Sequence, residues 1–99
     1  MIPPGSRVVR TVGGVRVRVV DGCWVRDHVS VDFTMGDNEC HSDFVDPGEV
    51  WVDGCLGSKD REATVRHEVH ERARMLRGEG YGTAHDAANR VERAFRSRA

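Results

Sequence analysis

Within five consecutive positions the chain places His67, Glu68, His70 and Glu71, its densest set of metal-ligating and proton-transferring side chains. They lie in Glu62–Arg77, EATVRHEVHERARMLR, whose apolar residues recur at helical spacing. A helix turns about 100° per residue, so His67 and Glu71 stack one turn apart, with Glu68 beside them. With Val65 set at zero, Val65, Val69, Ala73 and Leu76 fall between about 0° and 80°, which is a core stripe. Arg66, His70, Arg74 and Arg77 fall between about 100° and 180°, and His67, Glu71 and Met75 between about 200° and 280°. A cationic face is a poor place for a second cation. The spacing therefore favours His67 with Glu71 and leaves His70 as a surface residue.

An imidazole and a carboxylate on one helix face are ligands for zinc or another divalent transition metal, but two ligands do not complete a site. Structural zinc takes four protein ligands, and catalytic zinc takes three with one position open. The pattern is close to H-E-x-x-H, in which two His side chains hold zinc and the Glu between them is the general base. Here Glu71 stands where the second His would be, and Glu68 is the candidate base. A further ligand has to come from a second helix, and His85 and Glu92, seven residues apart and on the same face, are the candidates. A helix N-terminus favours anions, which counts against a cation at His85, and Asp86 next to it offsets part of that cost. The competing reading has Glu71 paired with Arg72 or Arg74 on an ordinary surface, and His67 and His85 hydrogen-bonded in the core.

Positioning these groups requires a helical hairpin and a layer for it to pack on. Ser58 or Asp60 is expected to cap the first helix, over about 60–77, and Gly78 suits its C-terminal stop. Thr83, with Asp86 three residues on, resembles a capping box for a second helix over about 84–96, whose buried stripe is Ala84, Ala87, Ala88, Val91 and Phe95. Upstream, Val and Arg alternate from Val15 to Val19, and Gly13-Gly14 joins two β-rich runs. Asp21-Gly22 reads as another hairpin turn, leading to a strand over about Cys23–Thr34. Gly36-Asp37-Asn38 and Asp46-Pro47-Gly48 read as turns, ECHSDF as a weak strand, and EVWVD (Glu49–Asp53) as a short last strand. The expected fold is α+β: an antiparallel sheet of four to five strands over about 7–53, then a layer of two helices on one face.

The 99 residues suit a single domain, with residues 1–6 as a flexible lead-in, 7–58 as the β part and 59–99 as the helical part. A hydrophobic share of 38% against a charged share of 31% implies a thin core, which a metal or a homo-oligomer contact would support. The β part is net acidic and the helical part net basic, so internal complementarity is expected ahead of nucleic-acid binding. Neither a signal peptide nor an apolar run long enough for a membrane span is visible, and a cytoplasmic protein is expected. Cys23, Cys40 and Cys55 are odd in number and lack C-x-x-C spacing, which suits reduced thiols. Cys40-His41 with Cys23 or Cys55 as a zinc set, and Cys55 with His67 as a thiol–imidazole pair, are the weaker alternatives.

His67-Glu68-x-x-Glu71 followed by Tyr81-x-x-Ala84-His85-x-x-Ala88-Asn89-x-x-Glu92 resembles a group of short phage- and prophage-associated proteins of unassigned role. More distantly it is similar to the zincin metallopeptidases, in which an antiparallel sheet ends in an edge strand and the metal-binding helix follows. The resemblance implies a minimal zincin-like fold with EVWVD as that edge strand. His67 would be the first ligand, Glu71 would take the second-His position, His85 or Glu92 would be the third ligand, and Glu68 the base. A carboxylate in place of an imidazole lowers the Lewis acidity of zinc, so peptidase activity is weakened more than metal binding. The expected function is thus a small zinc-binding, zincin-like protein and metal-dependent hydrolase, located in the host cytoplasm if phage-encoded. The alternative is a non-enzymatic phage-type module whose sheet or basic helical face binds a protein, a peptide or nucleic acid.

Overall fold

In the computed structural model, which describes residues 2–98, the first hairpin forms where the two glycines predict it. Gly13 and Gly14 take φ of +55° and +82°, a left-handed pair that suits a tight hairpin. They join β1 (Arg7–Val12) to β2 (Val15–Val20), paired antiparallel with a bulge between Val8 and Arg10. In the expected lead-in Pro3 is buried, and the Ser6 hydroxyl accepts from Arg18 at 3.3 Å. Met1 of that lead-in, and Ala99, lie outside the described residues.

The expected strand over Cys23–Thr34 is instead a helix, α1 (Gly22–His28). Asp21 is its N-cap rather than a hairpin turn, its side chain accepting from the backbone N–H of Cys23 at 3.0 Å and of Trp24 at 3.2 Å. Trp24 and His28, four apart, stack at 4.6 Å, a contact that helical spacing allows and strand spacing does not. The alternation of valines through Val25, Val29 and Val31 imitates a strand, but only Val25 of these is fully buried.

The remaining strands are β3 (Gly36–Asn38), read above as a turn, and β4 (Glu49–Asp53). Residues 39–44, read as a weak strand, are turn and coil. The sheet order is β1-β2-β4-β3, and it is mixed rather than antiparallel throughout, because β2 and β4 run parallel. Parallel neighbours need a crossover, which residues 21–48 supply. EVWVD is accordingly an interior strand, with all five residues buried. This is what a strand covered on both faces requires. On one face Val20, Val25, Phe33, Val45 and Trp51 pack together beneath the crossover. On the other, Val15, Val17, Val50 and Val52 meet Val65 of the first long helix.

That helix is α2 (Ser58–Leu76), and α3 (Tyr81–Ser97) follows it. Neither has a side-chain cap: Gly57 and Gly80 hold the N-cap positions, and Thr83 lies inside α3. Gly78, at φ +98°, ends α2 as expected, its N–H donating to the Met75 carbonyl at 3.0 Å. Ala84, Ala87 and Ala88 are buried along α3, and such small side chains let two helices approach closely. Val91 and Phe95 of the expected stripe are half-buried, and Leu76 of the α2 stripe is exposed. No helix is long and apolar enough to cross a membrane among the described residues.

Candidate metal centre

The α2–α3 hairpin brings the two predicted pairs of side chains face to face. The helices run antiparallel, so the residue later on α3 meets the one earlier on α2. Glu92 meets His67, its Oε1 accepting from His67 Nδ1 at 3.0 Å. His85 meets Glu71, its Nδ1 donating to Glu71 Oε2 at 2.8 Å. His67 Nε2 reaches the same oxygen at 3.2 Å, so a single carboxylate oxygen sits between two imidazoles. His67, Glu71 and His85 each offer one ligand atom, all within 4.8 Å of one another. His67 and Glu71 are 7% and 2% exposed and His85 is half-exposed, so the cluster is buried on the α2 side and reaches the surface on the α3 side.

These spacings suit a small ion. Zinc bonds of about 2.1 Å in tetrahedral geometry put neighbouring ligand atoms about 3.4 Å apart. Two imidazoles and one carboxylate also form a ligand set used by catalytic zinc. Glu92 lies outside the converging group. Its Oε2 accepts from Arg96 at 2.8 Å while its Oε1 engages His67 Nδ1. It therefore orients the His67 ring, leaving Nε2 as the ligand atom.

Three groups that the sequence did not suggest complete the centre. Asn38, fully buried on β3, donates through Nδ2 to Glu68 Oε1 at 3.0 Å and to Glu71 Oε1 at 2.9 Å. Its orientation is set by its Oδ1, which accepts from the backbone N–H of Cys40 at 2.9 Å and of His41 at 3.1 Å. β3 comes this close to α2 because residue 36 is glycine: a Cβ there would meet Thr64 Cγ2 at 2.6 Å and the Trp51 carbonyl at 2.7 Å. Asp37 accepts from His41 Nδ1 at 2.9 Å and from the Ser42 hydroxyl at 2.5 Å, which fixes the orientation of the His41 ring. His41 stacks on Tyr81 at 4.1 Å, and the Tyr81 hydroxyl lies 3.3 Å from His85 Nδ1.

The electrostatics follow from burial and from crowded carboxylates. Burial pushes the Glu68 carboxyl up to about 8, with the Glu71 charge adding to the effect. Burial works against ionisation of Glu71 as well, but bonds to His67 and His85 outweigh it and hold Glu71 below the usual carboxylate range. For His67 burial disfavours the charged ring, yet Glu71, with Glu68 and Glu92, raises its pKa above the ordinary imidazole value. Both of its nitrogens face carboxylates, Nδ1 toward Glu92 and Nε2 toward Glu71, an arrangement that favours the charged ring. A bound cation would take the place of the proton on Nε2.

The centre opens into a cavity of about 370 Å³, whose lining includes His67, Glu68, Glu71, His85, His41 and Tyr81. His70 stays out of it, half-buried, with burial and then Arg74 and Arg77 lowering its pKa. The cysteine alternatives are not assembled: His67, Glu71 and His85 are the one converging group of at least three potential ligands among the described residues. The three cysteines are free thiols, and both His67 nitrogens are engaged by carboxylates rather than by Cys55.

Comparison with family models, with curated proteins and with solved structures finds no match to the chain. A functional reading therefore rests on the centre itself.

Proposed function

We propose that this protein binds a divalent transition metal, with zinc as the first candidate, through His67, Glu71 and His85, and that it is a small metal-dependent hydrolase. The observation that carries the reading is the convergence of three ligand atoms within 4.8 Å at the wall of a cavity. When bound, the ion would supply Lewis acidity toward a carbonyl oxygen. The residues do the rest. Glu92 fixes the His67 ring, and Asn38 holds Glu68 and Glu71 at a set separation. Glu68 lines the cavity beside the three ligands and, in its ionised form, would take a proton from the attacking water and return it to the leaving group. The reading is zincin-like in a limited sense: the first two ligands and the base lie on one helix after the sheet. On the pattern His67-Glu68-x-x-Glu71 with Tyr81-x-x-Ala84-His85, the protein is also proposed to be phage-associated.

One observation favours a second reading, in which the cluster is a purely structural polar network. Arg61 Nε is the one buried side-chain nitrogen or oxygen without a partner among the described residues, so the cluster is hydrogen-bonded with no ion. Metal analysis of the purified protein separates the two. Near-stoichiometric zinc that survives Glu68→Gln, while hydrolysis of an amide or ester panel disappears, supports the hydrolase. Failure to retain any transition metal after zinc loading and desalting leaves the structural network.

A further inference from the structure

No lysine or arginine lines the cavity, although the chain holds 15 of them. A substrate with an anionic group remote from the metal centre would need a second, fixed cation on the wall to receive it. The wall instead carries five carboxyl groups, and four of them have partners inside the protein. Asp37 is held by His41 and Ser42, Glu68 and Glu71 by Asn38, and Glu92 by His67 and Arg96. Asp32 differs. Its backbone N–H donates to the Ser30 hydroxyl at 3.3 Å, but its carboxylate has no partner among the described residues. It lies on the exposed loop between α1 and β3, and Thr34 and Met35 of the same loop line the cavity beside it. Met35 is 36% exposed, an apolar side chain left open at the wall.

We propose that Asp32 is a specificity-determining residue, and that the cavity takes acyl substrates, amides or esters, with a cationic group on an aliphatic stem. This rests on the metal-centre reading above. The reacting carbonyl lies at His67, Glu71 and His85, the stem runs along Met35 and Thr34, and the ammonium or guanidinium meets Asp32. A lysine- or arginine-like side chain has this chemistry. A phosphorylated or carboxylate-terminated substrate does not.

Three hydroxamates of similar length test it on the zinc-loaded full chain by calorimetry: hexanohydroxamic acid, 6-aminohexanohydroxamic acid and the monohydroxamate of adipic acid. All chelate metal alike and differ in the charge of the tail. The amine is expected to bind about threefold tighter than the neutral compound and the acid about threefold weaker, as for an exposed ion pair. The differences should shrink in high salt. In Asp32→Asn the three affinities should converge. Equal affinities in the unaltered protein, or the same ranking in Asp32→Asn, overturn the assignment while leaving the metal centre in place. No binding of hexanohydroxamic acid at all shows that the ion has no open position and overturns this proposal, while zinc retention itself tests the metal centre separately.

Discussion

Two buried glutamates, Glu49 and Glu71, sit in the same small fold and are handled in opposite ways. Glu49, on β4, faces Arg18 in a two-pronged pair at 2.9 and 3.0 Å and also accepts from the Trp51 indole at 3.1 Å. Burial opposes its charge, but Arg18 and Trp51 outweigh burial and hold its pKa below the ordinary value. The partner is a permanent cation, so nothing there exchanges near neutrality. Glu71 faces two imidazoles and an amide, and a second carboxyl, Glu68, is held by the same amide. Its partners can give up protons, and the group opens on a cavity. The first arrangement ties β2 to β4. The second has the exchangeable protons and the access that chemistry needs.

Breaking the Glu49 pair should give the largest effect on stability. Glu49→Ala strands the largely buried Arg18 guanidinium, and urea unfolding should show a loss of about 3 kcal/mol or more. Zinc affinity of the variant, measured where it is still folded, should be retained. The metal effect comes next. Zinc at about a hundredfold above its dissociation constant should stabilise the protein by about 2.7 kcal/mol. That gain should vanish in His67→Ala and persist in His70→Ala. A gain retained in His67→Ala would place the ion elsewhere.

Asn38→Ala is the third prediction. It removes donors from two carboxyl groups and an acceptor from two backbone N–H groups, and should cost about 2 kcal/mol. Wild-type unfolding energy in this variant would show that water replaces the amide without cost. The fourth prediction concerns the pH dependence of chelator-treated protein. Glu68 titrates at about 8 in the fold against an ordinary value of 4.5. Between those values the folded chain binds one more proton than the unfolded chain, so stability should fall as pH rises through this window. Glu68→Gln should flatten that slope. Glu49 acts in the opposite sense: its depressed pKa adds stability above the unfolded value, and that stability is lost as pH falls through the folded value.

The two side-chain pairs of the hairpin were legible in the sequence because helix geometry is local. His67 with Glu71, and His85 with Glu92, follow from residue spacing alone, and the antiparallel hairpin follows from the short GEGYG connection. Asn38, Asp37 and His41 were not legible, because they reach the centre through the pairing of β3 with β4 and the close approach that Gly36 permits. Neither leaves a periodic signal, and a polar three-residue strand reads as a turn. The topology was hidden for a related reason. Alternating valines after Asp21 imitate a strand, whereas the capping oxygen of Asp21 starts a helix. That helix begins the crossover that makes β2 and β4 parallel. The compact, largely apolar run in EVWVD was the trace of an interior strand.

Calorimetric titration of zinc into chelator-stripped protein tests the central claim most directly. One zinc per chain should bind, with proton release as the ion displaces hydrogen shared between Glu71 and the two imidazoles, and binding should be lost in Glu71→Ala and in His85→Ala. Absence of binding heat, or a titration unchanged by both substitutions, would contradict a centre built from His67, Glu71 and His85.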